Sequence, residues 1–362
     1  MFSSASRSVR CRLTALAAGC TLIAALVSAC SKTEPAEEAG NGVALIIKTE
    51  TNPFFVDIKQ TALREADAKG LTLTTAAGTE DGDVGSQVAA IDAAIARGDR
   101  AIMITPNGAG VDNALRRARQ AGVFVVALDT KPTDAGAADI TFATDNFEAG
   151  RLIGAWAAEK MAGQTAVIAL LDLFHNRQVE SDYQRNQGFL TGMGIPVGDY
   201  RRTGDEAPTG VYRGGRYRIA CQDVTLGAAA GGRAAMERCL SHSPDVNLVY
   251  TINEPAASGA AEILAAAENP AVLVSVDGGC DPGLRLVSEG VIGATAQQDP
   301  VQMAVQAVDA VATLLRTGEK PVPDTGIDMI DTGVVLVTDD PQPGVPSIDV
   351  AQGMQRCWGK AA

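Results

Sequence analysis

The chain has 362 residues, 46% of them apolar and 4% aromatic, with 30 basic against 43 acidic side chains and a formal net charge of −13. A balance this acidic, with no basic patch interleaved with aromatics, argues against binding to nucleic acid or to an anionic lipid surface. The length suits two domains of ordinary size, each with its own core.

The N-terminus is read as a leader. Arg7, Arg10 and Arg12 form a positive region, Leu13 to Val27 an apolar stretch too short to span a membrane comfortably, and Ser28-Ala29-Cys30 a small-residue end. Residues 1–29 are therefore expected to be a signal peptide. Leu26-Val27-Ser28-Ala29-Cys30 resembles the bacterial lipobox, which would make Cys30 a lipid-carrying N-terminus. Its loss leaves 333 residues and moves the charge to −16, since the leader holds three arginines and no acid. Residues 30–42 are polar and acidic without apolar periodicity, which predicts a disordered tether. The lipid would be the only attachment to a membrane.

From residue 43 the chain alternates strand and helix. Val43 to Ile47 reads as a strand buried on both faces, and Asn52-Pro53 opens a helix, proline suiting a first helical position. Strands follow at Leu71–Ala76, Arg100–Thr105, Val123–Leu128 and Ile140–Ala143, with helices from about Val84 to Ala96 and Val111 to Ala121 between them. Thr144 or Asp145 is expected to cap a helix over 147–161. The same grammar restarts with strands at 165–170, 246–252, 272–276 and 292–296 and helices at 179–193, 227–240, 255–267 and 301–316. Such repeated units imply an α/β protein of two doubly wound parallel-sheet lobes, with several chain crossings as a hinge. The crossings are expected near 143–147, before Val246 and after Gly318. The expected boundaries are a first lobe of 43–145 plus part of 246–300, a second of 146–318, and a hinge return and tail over 319–362. Residues 199–226 hold five arginines between 201 and 218 and a hairpin pattern about Arg213-Gly214-Gly215-Arg216, read as a solvated insertion. The proline- and glycine-rich tail beyond Leu336 is expected to wrap the surface.

Cys221, Cys239, Cys280 and Cys357 remain after the leader and Cys30 are set aside, an even number that favours two disulfides outside the cytoplasm. Three pairings are open, with Cys221–Cys239 preferred because it closes the shortest loop. No spacing suggests a metal site, and only His175 and His242 offer imidazoles. Enzymatic signals are weak. The turn after the first strand lacks the glycines of a dinucleotide fold, no phosphate-binding loop is present, and neither histidine lies near a nucleophile elbow. Paired acids for glycoside hydrolysis stay open, since Asp129, Asp145, Glu254 and Asp277 fall at strand ends or helix starts.

Strand ends are where open α/β sheets place ligands, and here they carry Lys48, Asn52, Asp129, Asp145, Asn253, Asp277 and Gln298. These side chains make directed hydrogen bonds to a polyhydroxylated molecule, each carboxylate accepting hydroxyl protons. Phe54 or Phe55 can supply the aromatic face that covers the C–H side of a sugar ring. Trp156 and Tyr183 are read as core or surface.

Seven pieces in order carry a family resemblance: TNPFF at 51–55, ALDT at 127–130, ATDN at 143–146, RNQGF at 185–189, YTINEPAASGA at 250–260, SVDG at 275–278 and ATAQQDP at 294–300. From Val43 to Gly318 the chain resembles bacterial periplasmic sugar-binding proteins of the ribose-binding type, the receptors of ABC importers, and looks most like fructose-binding members. The resemblance implies the type I periplasmic binding protein fold, no cofactor and no enzymatic activity. It implies contacts to a sugar or polyol from Asn52, Phe54, Phe55 and Asp129 in the first lobe and Arg185, Asn253, Asp277 and Gln298 in the second. Arg185, three residues after Asp182 on a helix, reads equally as a surface ion pair. His175 sits in a loop that enters the cleft in the family. Three positions depart from the pattern: Lys48 replaces a small hydroxyl residue, Thr130 an arginine and Val276 an aromatic. The implied partners are an ABC permease with its ATPase, and the receptor is expected to be a monomer. A receptor for a nucleoside or a furanosyl signal molecule and a secreted glycosidase are the alternatives.

Overall fold

The computed structural model describes residues 40–175, 179–323 and 328–359. The leader, Cys30 and the tether up to residue 39 lie outside these residues. Gly40–Ala362 is one compact unit.

The run Val43–Ile47 is buried on both faces, as the unbroken apolar pattern requires. Val43, Leu45 and Ile47 pack with one helical layer and Ala44 and Ile46 with the other. Burial of each large side chain in this run stabilises the lobe by about 1.5–3 kcal/mol. The first lobe begins with β1 (Gly42–Ile47), α1 (Pro53–Ala68), β2 (Thr72–Ala77), α2 (Val84–Arg97), β3 (Ala101–Ile104), α3 (Asp112–Gln120), β4 (Phe124–Leu128) and β5 (Ile140–Ala143). The chain then enters the second lobe through α4 (Asn146–Lys160), β6 (Ala166–Asp172), α5 (Glu180–Met193), β7 (Thr209–Tyr212), β8 (Gly215–Val224), α6 (Ala229–His242), β9 (Leu248–Thr251), α7 (Glu254–Ala266), β10 (Val272–Asp277), α8 (Arg285–Ser288) and β11 (Ala294–Gln297). It finishes with α9 (Pro300–Thr317), β12 (Ile330–Asp331), β13 (Val335–Val337) and α10 (Val350–Gly353).

Sheet order is β12-β5-β4-β3-β1-β2 in the first lobe and β13-β11-β10-β9-β6-β8-β7 in the second. All pairings are parallel except β11–β13 and β7–β8. The strand-to-helix alternation thus builds two parallel-dominated sheets. Four glycines on α4 and α5 seat the second lobe's first helix pair. A methyl on Gly150 would strike the Arg185 carbonyl and one on Gly188 the Phe147 carbonyl, so only glycine permits this approach. That contact sets the height at which Arg185 leaves α5.

Three expectations are corrected. The strands within 246–300 all belong to the second sheet. The return to the first lobe is instead α9, whose Met303, Ala304, Ala307, Val308 and Val311 complete the core beneath α1. The crossings therefore fall at 143–146, 297–300 and 331–335, and none precedes Val246. The arginine-rich stretch is no mere solvated insertion, because β8 pairs with β6 as an integral parallel strand and β7 closes the sheet edge antiparallel. Two of its arginines, Arg216 and Arg218, lie on that strand, and Arg218 pairs with Asp245 at 2.8 Å. The tail does more than wrap the surface: β13 joins the second sheet and Trp358 is buried against Phe54. Two disulfides are present, Cys221–Cys239 and Cys280–Cys357, the first being the preferred pairing.

Candidate ligand-binding site

The ends of β1, β4, β9 and β10 deliver polar side chains into the gap between the lobes. Lys48 follows β1 directly and is 3% exposed. Asn52 caps α1, its Oδ1 accepting from the Phe54 amide at 3.0 Å, and this fixes where the two phenylalanines begin the helix. Their rings meet edge to face at 5.3 Å, and the Lys48 ammonium lies 5.2 Å from the Phe55 ring centre. Asp129 after β4 and Asp277 at the end of β10 have φ of 62° and 134°. A non-glycine residue in this region costs about 1–3 kcal/mol, a strain that concentrates at functional sites.

These groups enclose a cavity of about 30 Å³ lined from both lobes, by Lys48, Asn52, Phe54, Phe55, Asp81 and Asp129 on one side and Leu173, Ser181, Arg185, Ile252, Asn253 and Asp277 on the other. A space of that size has room for about two waters. The lobes therefore stand closed, and a larger ligand enters only when they part. Contacts between the lobes hold this state. Arg185 Nη2 lies 4.0 Å from Asp129 Oδ1, the Lys131 amide donates to Glu180 Oε2 at 2.9 Å, and the Thr130 and Ser181 hydroxyl oxygens lie 3.4 Å apart.

The charges are arranged in alternation. Lys48 Nζ donates to Asp129 Oδ2 at 3.0 Å and to Thr130 Oγ1 at 2.8 Å. Burial works to raise the Asp129 carboxyl, but Lys48, Arg185 and the Thr130 hydroxyl outweigh it and hold it below the ordinary carboxylate range. Arg185 donates from Nε to Asn146 Oδ1 at 2.8 Å, and from Nη1 to the Ile252 carbonyl at 2.9 Å and Asp277 Oδ1 at 3.3 Å. Asp277 also accepts from Gln298 Nε2 at 2.9 Å. Burial nonetheless pushes its carboxyl up to about 7, with Arg185 opposing and Asp129 adding to the rise. Behind it, Glu254 accepts from the Gly278 and Gly279 amides at 2.7 and 2.9 Å and from the Thr295 hydroxyl at 2.7 Å. Burial and the neighbouring Asp277 push Glu254 up to about 8. Glu254 thereby fixes the turn that aims Asp277.

Eight of the residues picked from the sequence line the cavity together: Lys48, Asn52, Phe54, Phe55, Asp129, Arg185, Asn253 and Asp277. Gln298 stands behind Asp277 and is 2% exposed. Two are placed elsewhere. Asp145 caps α4 by accepting from the Glu148 amide at 2.9 Å and does not line the cavity. His175 lies outside it with half its side chain exposed, Nε2 being 3.9 Å from Asp223 Oδ1. The reading of Arg185 as a surface pair with Asp182 is corrected: Arg185 is 5% exposed, and Asp182 instead accepts the Leu173 and Phe174 amides at 2.8 and 3.0 Å. Sequence reasoning missed Asp81, Leu173, Ser181 and Ile252 as lining residues, Asn146 as an Arg185 partner, and Trp358 beneath Phe54. Asp81 follows β2 and so met the strand-end rule; Trp358 carries no local signal. Among the described residues no group of histidine, cysteine and acidic side chains is arranged to hold a metal ion, and no helix is long and apolar enough to cross a membrane.

Comparison with known proteins finds relatives and structures of the same fold. The ribose import binding protein RbsB of Escherichia coli (strain K12) is 26% identical over 283 residues, covering 78% of this chain and 87% of that protein. The D-apiose import binding protein of Actinobacillus succinogenes is 27% identical over 284 residues, covering 77% and 84%. Among solved structures, an ABC transporter periplasmic solute-binding protein from Actinobacillus succinogenes 130z with bound D-allose superposes with a TM-score of 0.69 at 20% identity, covering 87% of this chain and 99% of that one. A galactofuranose-binding protein superposes with a TM-score of 0.70 at 20% identity, covering 88% and 99%. Both structures share the fold. The binding-protein family excludes the glycosidase alternative, since its members hold substrate for import and do not transform it. With residues 43–320 matching the periplasmic binding protein domain, the chain belongs to the periplasmic binding proteins, an extracytoplasmic family.

Proposed function

We propose that this chain is a lipoprotein receptor, anchored through Cys30 and its tether, that closes as a monomer on a monosaccharide of the ribose or fructose kind or on a polyol and delivers it to a permease with its ATPase. The observation that carries the reading is the closed cavity between the lobes, with Asp129 and Asp277 facing it from opposite sheets beside Phe54 and Phe55. Carboxylates on both sides of one ligand favour the closed state over the open one, the differential affinity that a population shift requires. The named sugars of the relatives support a pentose or hexose. A nucleoside or furanosyl signal molecule remains the second reading, as the fold serves it equally.

A thermal-shift screen of residues 40–362 against pentoses, hexoses, polyols and nucleosides tests this. A ligand that binds only the folded state raises the midpoint by mass action, so one or a few sugars or polyols are expected to shift it. Silence across the sugars and polyols with a shift for nucleosides would leave the fold and end the sugar assignment. With the responding sugar in hand, Asp277→Ala is expected to weaken binding by about 2 kcal/mol, roughly 30-fold, because it strands a ligand hydroxyl without its acceptor. Equal affinity in a calorimetric titration would mean that Asp277 makes no contact.

A further inference from the structure

Asp81 sits in the turn between β2 and α2, and the turn is built rather than loose. The Gly82 amide donates to Asn107 Oδ1 at 3.0 Å, while Asn107 Nδ2 donates to the Lys48 carbonyl at 3.4 Å and the Asp83 carbonyl at 3.3 Å. Asn107 is itself fixed by Gln87, whose Oε1 accepts its amide at 2.8 Å and whose Nε2 donates to the Thr105 carbonyl at 2.8 Å. Gln87 is fully buried and Asn107 2% exposed. The turn is thereby pinned to the same strand end that presents Lys48.

From this support the Asp81 carboxylate lines the cavity and faces the second lobe at Gly227. A Cβ on Gly227 would lie 3.2 Å from Asp81 Oδ2 and 3.1 Å from Asn253 Nδ2, so the absent side chain lets the lobes meet there. The other two cavity carboxylates are answered by the protein, Asp129 by Lys48 and Thr130, and Asp277 by Arg185 and Gln298. Asp81 has no hydrogen bond or ion pair among the described residues. Burial pushes its carboxyl up to about 6, with Lys48 and Arg185 opposing and Asp129 adding, so the acceptor-only carboxylate prevails at neutral pH. A carboxylate held in a closing cleft without a donor wants one from the ligand.

We propose that Asp81 is a specificity-determining residue that accepts a hydrogen bond from a ligand hydroxyl at the end of the cavity nearest Gly227 and Asn253. This rests on the receptor reading above.

The test titrates residues 40–362 and the variants Asp81→Asn and Asp81→Ala with whichever of D-ribose, D-fructose, D-allose or D-apiose gives the parent its largest midpoint shift, and with each singly deoxygenated analogue of that sugar. Both variants are expected to bind the intact sugar about tenfold or more weakly. One deoxygenation that weakens the parent about tenfold should weaken Asp81→Ala by less than about twofold, the signature of a shared hydroxyl–carboxylate pair. Unliganded midpoints should be unchanged or higher, since removing an unpaired acid from the cleft costs the fold nothing. Affinities within about twofold of the parent, or losses that add at every position, would overturn the assignment of Asp81 while leaving the receptor intact. A parent that responds to no pentose, hexose or polyol in the thermal-shift screen would end the sugar reading and this inference with it.

Discussion

Replacing Arg185 with alanine is expected to weaken ligand binding by at least about 100-fold and to lower the unfolding free energy at pH 8 by about 3–5 kcal/mol. The side chain is 5% exposed, donates to Asn146, the Ile252 carbonyl and Asp277, and lies 4.0 Å from Asp129 across the gap. Its removal leaves two buried acids from opposite lobes facing one another with only Lys48 between them. Repulsion then opposes closure, and the desolvated carboxylates lose the cation that offset their burial. The pH dependence follows from the sign of the Asp277 shift. Its folded pKa of about 7 stands above its ordinary value of 3.8, so the stability linked to its protonation is complete below about 3.8 and lost as the pH rises through about 7. In Arg185→Ala that pKa rises further, so the variant should recover much of its deficit between pH 8 and pH 5, measured by urea unfolding at the two values. Arg185→Lys restores a charge without the planar fork and should fall between the two. A variant with parental stability at pH 8 and parental affinity would remove Arg185 from the site.

What the sequence made legible and what it hid divide along a physical line. Asp129 and Asp277 were readable because a parallel strand's carboxyl end must open on a loop, and a polar residue there has a ligand to meet or a charge to share. Asn52 and Asp145 stood in the same pattern, yet only Asn52 reaches the cavity while Asp145 is used up capping α4. Local spacing gives both residues a capping role and does not report which cap also faces the other lobe. The strand β8 was hidden because its arginines read as solvated, although Arg218 is only partly exposed and pairs with Asp245 from within a strand of the sheet. The crossover α9 was hidden because an apolar helix face declares that it packs, not on which of two sheets. Lys48 and Thr130 appeared as separate departures from the family pattern. In the structure they touch at 2.8 Å, with Lys48 also 3.0 Å from Asp129. A cation thus remains beside the first-lobe acid, supplied from β1 in place of the position after Asp129.

Breaking the Cys280–Cys357 disulfide by Cys357→Ser is expected to cost about 4 kcal/mol of stability and, unlike loss of the other disulfide, to weaken the ligand's binding. The first part follows from chain entropy: the bridge spans 77 residues, and a loop of that size constrains the unfolded chain by roughly that amount. The second follows from what the bridge carries. Trp358, 5% exposed, stacks edge to face on Phe54 at 5.2 Å and donates from Nε1 to the Gln298 carbonyl at 3.2 Å, while its own carbonyl accepts from the Cys280 amide at 2.7 Å. The Gly359 amide donates to Asp57 on α1. The tail is thus tied covalently to the second lobe and seated on the first, directly behind a phenylalanine of the cavity wall. Freeing it removes the backing of Phe54 and a link that both lobes share. Cys221→Ser is the control: its bridge to Cys239 spans 18 residues between β8 and α6, away from the cavity, and its loss should lower stability by about 3 kcal/mol with affinity intact. Denaturant unfolding and calorimetric titration of both variants separate the two contributions. If Cys357→Ser bound the ligand as tightly as Cys221→Ser does, Trp358 would be a staple of the fold alone, with no part in shaping the cleft.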